Sequence, residues 1–200
     1  MELILLLLFA YLLGSIPSAL WIGKLFYKTD IREHGSGNLG GTNTFRVLGK
    51  KAGLTVTTLD ILKGTAAVLL LALPYFASVN VHPLIPGVLA VVGHMFPIFA
   101  RFKGGKAVAT SGGVVLAYHW PVFVVVLITF FIALKLTKMV SLSSMIVSVV
   151  GFLYSIYHYI RTGDPYLMIM IGLFGLFIFY RHRANIGRIK AGTEPKVKWL

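Results

Sequence analysis

The chain has 200 residues, of which 57% are hydrophobic and 12% are charged. This balance excludes an ordinary water-soluble domain and predicts an all-α polytopic membrane protein that forms a single domain over residues 1–200. The formal net charge is +13, but the basic residues alternate with apolar stretches, which disfavours a nucleic-acid partner and favours anionic lipids or phosphorylated substrates. The absence of cysteine excludes disulfides, a thiolate nucleophile and a cysteine-based metal site.

The first apolar run extends from Leu3 to Gly14 and is followed by small residues, as in a signal peptide. A signal peptide carries its basic residues before the apolar run, whereas this chain carries them after it. We therefore predict an uncleaved first span that begins outside the cell.

Apolar windows predict seven transmembrane helices. They lie near residues 3–23, 54–78, 84–100, 107–118, 121–135, 140–160 and 165–181. The stretch 107–135 is divided because the aromatic turn around Pro121 is typical of a membrane interface and a helix start. With this division and an external N-terminus, all of the 19 Lys and Arg residues except Arg161 lie on or beside the cytoplasmic side. The positive-inside rule thus favours a seven-helix bundle with the N-terminus outside, the C-terminus cytoplasmic and three glycine-rich segments on one face.

The first of these segments lies in the loop from Asp30 to Gly53. Glycine, hydroxyl and amide residues are concentrated there together with Arg46, a combination that lets backbone N–H groups and a cation bind phosphate. A flexible turn is the alternative, since glycine-rich patterns alone give many false matches. The candidate ligands are Ser36, Gly37, Asn38, Gly40, Gly41, Thr42, Asn43 and Arg46.

The second segment, Gly104, Gly105 and Lys106, comes directly before the fourth predicted helix. An ammonium group near a helix N-terminus attracts anions, so Lys106 is a candidate phosphate ligand. The segment is not a Walker A loop, because Ala107 stands where that motif requires Ser or Thr. Lys103 is interpreted as an interfacial lysine that extends toward the headgroups.

The third segment follows the last predicted span. If the helix continues, His182 and Asn185 share a face and present an imidazole and an amide to one substrate. Ser141 in the preceding cytoplasmic turn and Glu194 in the C-terminal tail are further candidates for substrate binding.

Three polar residues in predicted spans have two interpretations each. Asp60 and Lys63, three positions apart, fit a structural ion pair at least as well as a catalytic pair. His94 is as consistent with packing as with function.

The acidic residues are too few and too scattered for a magnesium site. There are six, namely Glu2, Asp30, Glu33, Asp60, Asp164 and Glu194. We therefore expect no metal and no other cofactor. The His-x4-Asp and G-x-S-x-G motifs of two large acyltransferase and hydrolase classes are also absent from the sequence.

Taken together, these motifs resemble those of the bacterial acyl-phosphate:glycerol-3-phosphate acyltransferases, the PlsY family. The matching stretches are Gly35–Gly40, Thr42–Asn43, Arg46–Lys51, Asp60–Gly64, Gly93–His94, Pro97, Phe102–Lys106, Val140–Leu142, Arg181–Arg183 and Asn185–Ile186. Two positions depart from the family pattern: Gly41 stands where alanine is usual, and Ala107 stands where glycine is usual. The second change is expected to stiffen the loop that carries Lys106.

The resemblance implies transfer of a fatty acyl group from acyl phosphate to the 1-hydroxyl of glycerol 3-phosphate, giving lysophosphatidate and inorganic phosphate. It also implies a monomer in the bacterial inner membrane, in contact with membrane lipids and with its active site at the cytoplasmic face. The catalytic residues would be Ser36, Arg46, Lys106, His182 and Asn185. The proton acceptor is left open between the substrate's own phosphate and His182, and a covalent acyl-Ser36 intermediate is less favoured.

Two other classes of protein share some of these features. A transporter of phosphorylated molecules or lipids would also be helical, basic and glycine-rich, but transporters commonly bind ligands at mid-membrane between internal repeats. A non-catalytic adaptor would explain the basic loops but not their Gly, Asn and Thr content.

Overall fold

In a computed structural model, residues 1–197 are described, and the regular structure in this range is entirely helical. The chain divides into two compact units, Met1–Tyr118 and His119–Leu200. The α-helices of the first unit are α1 (Glu2–Ser15), α2 (Ser18–Tyr27), α3 (Gly41–Leu69), α4 (Leu84–Met95) and α5 (Val108–Tyr118). Those of the second unit are α6 (Trp120–Thr137), α7 (Val140–Thr162), α8 (Tyr166–Arg181) and α9 (Arg183–Lys190).

Several of these helices are long and apolar enough to cross a membrane. Three qualify individually, and up to five do if each of two bent helix pairs counts as one span. The stretches Leu84–Ala100 and Val108–Tyr118 are apolar but shorter. The seven spans and the direction of the termini stay predictions, whereas the helical, largely apolar architecture agrees with the sequence.

The expectation of one continuous helix over 3–23 was wrong. α1 and α2 meet at a bend of 47° around Pro17. Proline lacks the N–H that a helix needs at this position, and its ring opposes the carbonyl one turn earlier. The bend leaves the Ile16 carbonyl outside the helical ladder, where the Lys63 ammonium donates to it at 2.8 Å.

The loop predicted over 30–53 ends at Gly40, because the structure is helical from Gly41 onward. α3 contains a break at Gly49, with φ 87° and ψ −177°. Phe45 packs directly on Gly53, and Gly41 lies against Thr57, although 16 residues of straight helix would separate their Cα atoms by about 24 Å. The chain therefore reverses at Gly49, and the turns before it fold back along the helix after it.

The helix predicted over 84–100 ends early, because α4 ends at Met95, just before Pro97, and a short 3-10 turn (Ile98–Ala100) follows. The span predicted over 165–181 agrees with α8, but the chain then bends by 60° into α9. His182 lies at this bend and Asn185 lies in α9, so the condition of one continuing helix through both residues is not met.

Glycine brings the helices of the first unit into direct backbone contact. Gly14 of α1 lies against the Ala90 backbone of α4, while Gly113 of α5 lies against the Ile61 carbonyl of α3. Within a bilayer, lipid is as apolar as leucine, so close packing of small residues takes over much of the stabilising role that the hydrophobic effect has in water.

The contact between Gly113 and Ile61 provides a stability test. A methyl group at position 113 would overlap the Ile61 carbonyl, so Gly113→Ala should push α5 from α3 and lower the free energy of unfolding by about 1–3 kcal/mol. Thermal unfolding in detergent measures this loss. The matched control is Gly187→Ala in α9, where nothing beyond the neighbouring backbone of the same helix lies within 4 Å of the added methyl group. Equal melting temperatures for the two variants would contradict this account of helix packing.

Candidate functional site

The shape of the first glycine-rich loop depends on Asn43. Its side chain accepts a hydrogen bond from the Ser36 N–H at 2.9 Å. Its amide nitrogen donates to the carbonyl oxygens of Ile31 and His34, at 3.2 and 3.1 Å. Asn43 is 1% exposed, so these three bonds form a buried staple across the loop.

This staple changes the expected use of the loop amides. The Ser36 N–H is bonded to Asn43, and the Gly37 N–H donates to the His34 carbonyl at 3.0 Å. Gly35 has φ +62°, and a Cβ there would overlap the Asn43 amide oxygen. Part of the glycine content therefore serves the internal bonding of the loop.

The loop presents polar side chains above an apolar base. The side chains of Ser36, Thr42 and Arg46 are exposed. Ile31 and Leu39, which flank the glycines, are buried in a cluster. The other members of this cluster are Ala19, Leu20, Val56 and Ala100. Sequence reasoning missed Ile31 and Leu39, although isolated apolar residues beside a glycine run are a usable signal of a loop anchored to a core.

A charge cluster fixes the entry to the loop. The Asp30 carboxylate accepts hydrogen bonds from the backbone and guanidinium of Arg32 and forms an ion pair with Lys24 at 3.1 Å. The Arg32 side-chain hydrogen bond is the main cause that holds the pKa of Asp30 well below its usual range, against the opposing effect of burial. Asp30 also caps the 3-10 turn at Ile31–Glu33.

The second glycine-rich segment, Gly104 to Lys106, forms a lysine loop that packs on His94. The Gly105 N–H donates to the His94 carbonyl at 3.1 Å. A Cβ at Gly104 would overlap that carbonyl oxygen, and a Cβ at Gly105 would overlap the imidazole. Both glycines are thus required for close approach to His94. Lys106, half-buried, follows immediately.

Ala107 has φ +65°, in the region that favours glycine. Alanine stands here in place of the glycine that the family pattern has, although glycine would adopt this backbone conformation without strain. Its carbonyl accepts a hydrogen bond from the Ser111 N–H at 2.8 Å, which starts α5. Lys106 therefore lies just ahead of the helix N-terminus, as expected.

Asp60 and Lys63 form a buried ion pair with an Nζ to Oδ1 distance of 2.9 Å. The same carboxylate oxygen accepts a hydrogen bond from the Ser18 hydroxyl at 3.1 Å. His94 Nδ1 lies 3.7 Å from it. The ion pair suggested by the spacing is present, its role stays a prediction, and its contact with His94 connects it to the lysine loop.

In the second unit, Glu194 brings two other candidate residues together. Its carboxylate accepts hydrogen bonds from the Ser141 hydroxyl and the Asn185 amide, both at 2.6 Å. Arg188 donates to its other oxygen at 2.8 Å. The tail is also bonded to the turn before α7, where the Val197 N–H donates to the Lys138 carbonyl. Ser141, Asn185 and Glu194 therefore form one polar cluster.

Two opposing effects act on Glu194. Burial raises the pKa of Glu194, but the hydrogen bonds from Ser141, Asn185 and Arg188 outweigh it, so the pKa lies below its ordinary value. The group is therefore a carboxylate at neutral pH.

His182 occupies the bend between α8 and α9 and is buried. Its Nδ1 lies 2.8 Å from the Ile178 carbonyl oxygen. Because a carbonyl oxygen only accepts, Nδ1 carries a hydrogen in this contact, and Nε2 is the acceptor nitrogen whenever the ring is neutral. This geometry orients the imidazole.

The loops of this helical membrane protein expose cationic and hydroxyl side chains and are held by buried polar contacts. These features are typical of membrane proteins that bind anionic, phosphate-bearing ligands. Residues 4–192 match the glycerol-3-phosphate acyltransferase family. The chain belongs to this family.

The similarity extends over nearly the full length of curated relatives. The chain is 58% identical to a glycerol-3-phosphate acyltransferase of Bacillus subtilis, with 98% of each chain covered. It is 56% identical to one of Listeria monocytogenes, over all of this chain and 98% of the relative.

Solved structures are also similar. A crystal structure of PlsY, an integral membrane glycerol 3-phosphate acyltransferase, in its glycerol 3-phosphate form superposes with a TM-score of 0.86 and 38% identity. The match covers 97% of this chain and 94% of that chain. The lysophosphatidic acid form of PlsY gives a TM-score of 0.83 and 37% identity, over 96% and 94% of the two chains.

The staple at Asn43 predicts local opening on substitution. Asn43→Asp keeps the acceptor for the Ser36 N–H but replaces both donors by a carboxylate oxygen that faces two carbonyls. An unmade buried hydrogen bond costs about 1–3 kcal/mol, so trypsin cleavage after Arg32 in detergent should accelerate about tenfold or more. Asn38→Asp, the same change in the same loop outside the staple, is the control. Equal cleavage rates for the two variants would exclude a staple role for Asn43.

The bonded carboxylate of Glu194 predicts a pH dependence. Because its pKa is lowered by folding, its stabilising contribution is complete above the ordinary value of 4.5 and is lost as the pH falls through the lower value of the folded state. The melting temperature should therefore decrease as the pH is lowered from about 4.5. The Glu194→Gln variant should melt at a lower temperature than the wild type at neutral pH, and its melting temperature should depend less on pH over this range. Glu33→Gln, at an exposed carboxylate in the other unit, is the control. A Glu194→Gln profile parallel to that of the wild type would contradict this assignment.

Proposed function

We propose that the protein transfers a fatty acyl group from acyl phosphate to the 1-hydroxyl of glycerol 3-phosphate, as one membrane acyltransferase domain. The observation that carries this proposal is the near full-length match to PlsY in its glycerol 3-phosphate form. The hydroxyl oxygen attacks the acyl carbonyl carbon, an ester bond forms, and the bond between the acyl carbon and the phosphate oxygen breaks. The products are lysophosphatidate and inorganic phosphate, so no cofactor enters the balance.

The first-unit loops supply the cations and hydroxyls for this reaction. Arg46 and Lys106 bind the glycerol 3-phosphate phosphate, and Ser36 orients its hydroxyl. The exposed guanidinium of Arg46 and the setting of Lys106 ahead of α5 support these roles, because both sites favour an anion. The acyl-phosphate head is bound by the loop positions Asn38, Gly40, Gly41 and Thr42, whereas the Gly37 N–H is bonded to the His34 carbonyl and supports the loop. Asn43 holds the loop that presents them, and the glycine pair Gly104 and Gly105 does the same for Lys106.

In the second unit, His182, Asn185 and Ser141 stay the polar candidates for contact with a phosphate or a carbonyl group. Glu194 is assigned to orient Ser141 and Asn185, since a carboxylate repels phosphate and both of its oxygens already accept hydrogen bonds from the protein. This assignment revises the sequence-based expectation that Glu194 itself binds substrate.

The proton of the attacking hydroxyl has two candidate acceptors. The donor is an activated mixed anhydride, so the substrate's phosphate suffices as acceptor and leads the proposal. His182 is the rival, and its Nε2 has the acceptor character that a base needs. We further propose a monomer in the bacterial inner membrane, with the N-terminus outside and both substrates bound from the cytoplasmic face.

Release of inorganic phosphate by purified protein tests the proposal. Wild-type protein supplied with acyl phosphate and glycerol 3-phosphate should release phosphate and form lysophosphatidate, which a transporter would not do. Arg46→Ala and Lys106→Ala should each lower kcat/KM about a hundredfold or more. The controls Lys50→Ala and Lys103→Ala, at exposed cations beside them, should stay within about threefold of wild type. Normal kinetics for both the Arg46→Ala and the Lys106→Ala variants would refute the assigned site.

The pH–rate profile of His182→Gln separates the two proton acceptors. If His182 is the base, the substitution lowers kcat by about 10²–10⁴-fold and removes the acidic limb that reflects imidazole titration. If the substrate phosphate accepts the proton, the acidic limb persists, because a phosphate monoester titrates near pH 6.

A further inference from the structure

The Asp60–Lys63 pair has no direct part in the reaction proposed above, yet it lies in an apolar bundle where charges are costly. The two residues are 2% and 7% exposed. Desolvation of a buried ion pair offsets most of its attraction, so apolar residues of similar size often stabilise a protein equally well. The charges therefore invite an explanation other than stability.

One oxygen of Asp60 connects several elements of the first unit. It receives the Lys63 ammonium, the Ser18 hydroxyl at the start of α2, and the contact with His94 Nδ1 from α4. The Lys63 ammonium also holds the Ile16 carbonyl at the bend between α1 and α2. These contacts fix the position of the Asp60 carboxylate relative to the His94 imidazole.

The imidazole of His94 is held between Asp60 and the lysine loop. Its Nδ1 faces the Asp60 carboxylate, while the opposite nitrogen, Nε2, lies where a Cβ at Gly105 would be. The backbone of the same residue accepts the Gly105 N–H. A rotation of the ring would consequently press on the loop one residue before Lys106.

We propose that Asp60 is a positioning residue for Lys106. Its carboxylate holds the His94 ring in the setting against which Gly104 and Gly105 pack, and this setting places the Lys106 ammonium for glycerol 3-phosphate. Lys63 and Ser18 in turn hold the carboxylate. The inference rests on the role assigned to Lys106 under the proposed function, but its structural half concerns only the loop.

Asp60→Leu/Lys63→Met tests the inference, because it removes both charges while retaining similar volume. A pair that served stability alone would be replaced without loss of function. If Asp60 positions Lys106, the double variant should fold, and its KM for glycerol 3-phosphate should rise about tenfold while kcat changes little. His94→Phe, which keeps a ring but loses the contact with Asp60, should show the same division between KM and kcat.

Hydrogen exchange of the Gly105 amide provides a readout that needs no activity. Its bond to the His94 carbonyl should open more often in both variants, raising its exchange about tenfold while α1 and α3 amides stay protected. Val68→Ala, a buried truncation elsewhere on α3, is the control for general destabilisation. It should leave KM and the exchange of the Gly105 amide unchanged.

The outcomes separate the two proposals. A wild-type KM and wild-type exchange in Asp60→Leu/Lys63→Met overturn the positioning role, even if the enzyme is an acyltransferase. Raised exchange without any acyl transfer by the wild type supports the structural half and refutes the proposed function. If the double variant does not fold, His94→Phe decides by the same two measurements.

Discussion

The first unit is organised around a carboxylate that cannot be solvated. In an apolar bundle, the charge of Asp60 must be met by groups of the protein, and here the Lys63 ammonium and the Ser18 hydroxyl bond to it while His94 Nδ1 lies 3.7 Å away. Each of these contacts constrains the element that carries it. The bend at Pro17, the start of α2 and the end of α4 are consequently tied to one point on α3, and the lysine loop packs against the last of these.

Glycine has two separate functions in this fold. At Gly49 it allows a backbone conformation with positive φ, which reverses the chain and returns the helical turn carrying Arg46 along α3. At Gly104 and Gly105 the requirement is space, because any side chain would overlap His94. A sequence pattern rich in glycine does not separate these uses from phosphate binding by free amides, so the phosphate-binding interpretation of the loops stays a prediction.

Much of the helical architecture could be predicted from hydropathy alone. The apolar windows at 107–118, 121–135 and 140–160 agree closely with α5, α6 and α7, because each is bounded by a strong signal such as Pro121 or a basic turn. The breaks at Pro17, Gly49 and His182 were not predicted. Pro17 and Gly49 are residue types that break helices, but a hydropathy average over a window does not register one such residue, and no proline or glycine marks the bend at His182.

The candidate site shows the same limit at the level of side chains. Residue type and spacing correctly singled out Asn43 and Glu194 as unusual polar residues, but both are bonded to protein groups in the described structure. An amide suited to phosphate is equally suited to peptide groups, and a carboxylate suited to a substrate hydroxyl is equally suited to a serine or an asparagine. Sequence therefore predicts that such residues belong to a polar site, whereas contact with substrate or support of its neighbours is decided by burial and by which partners the fold brings within reach.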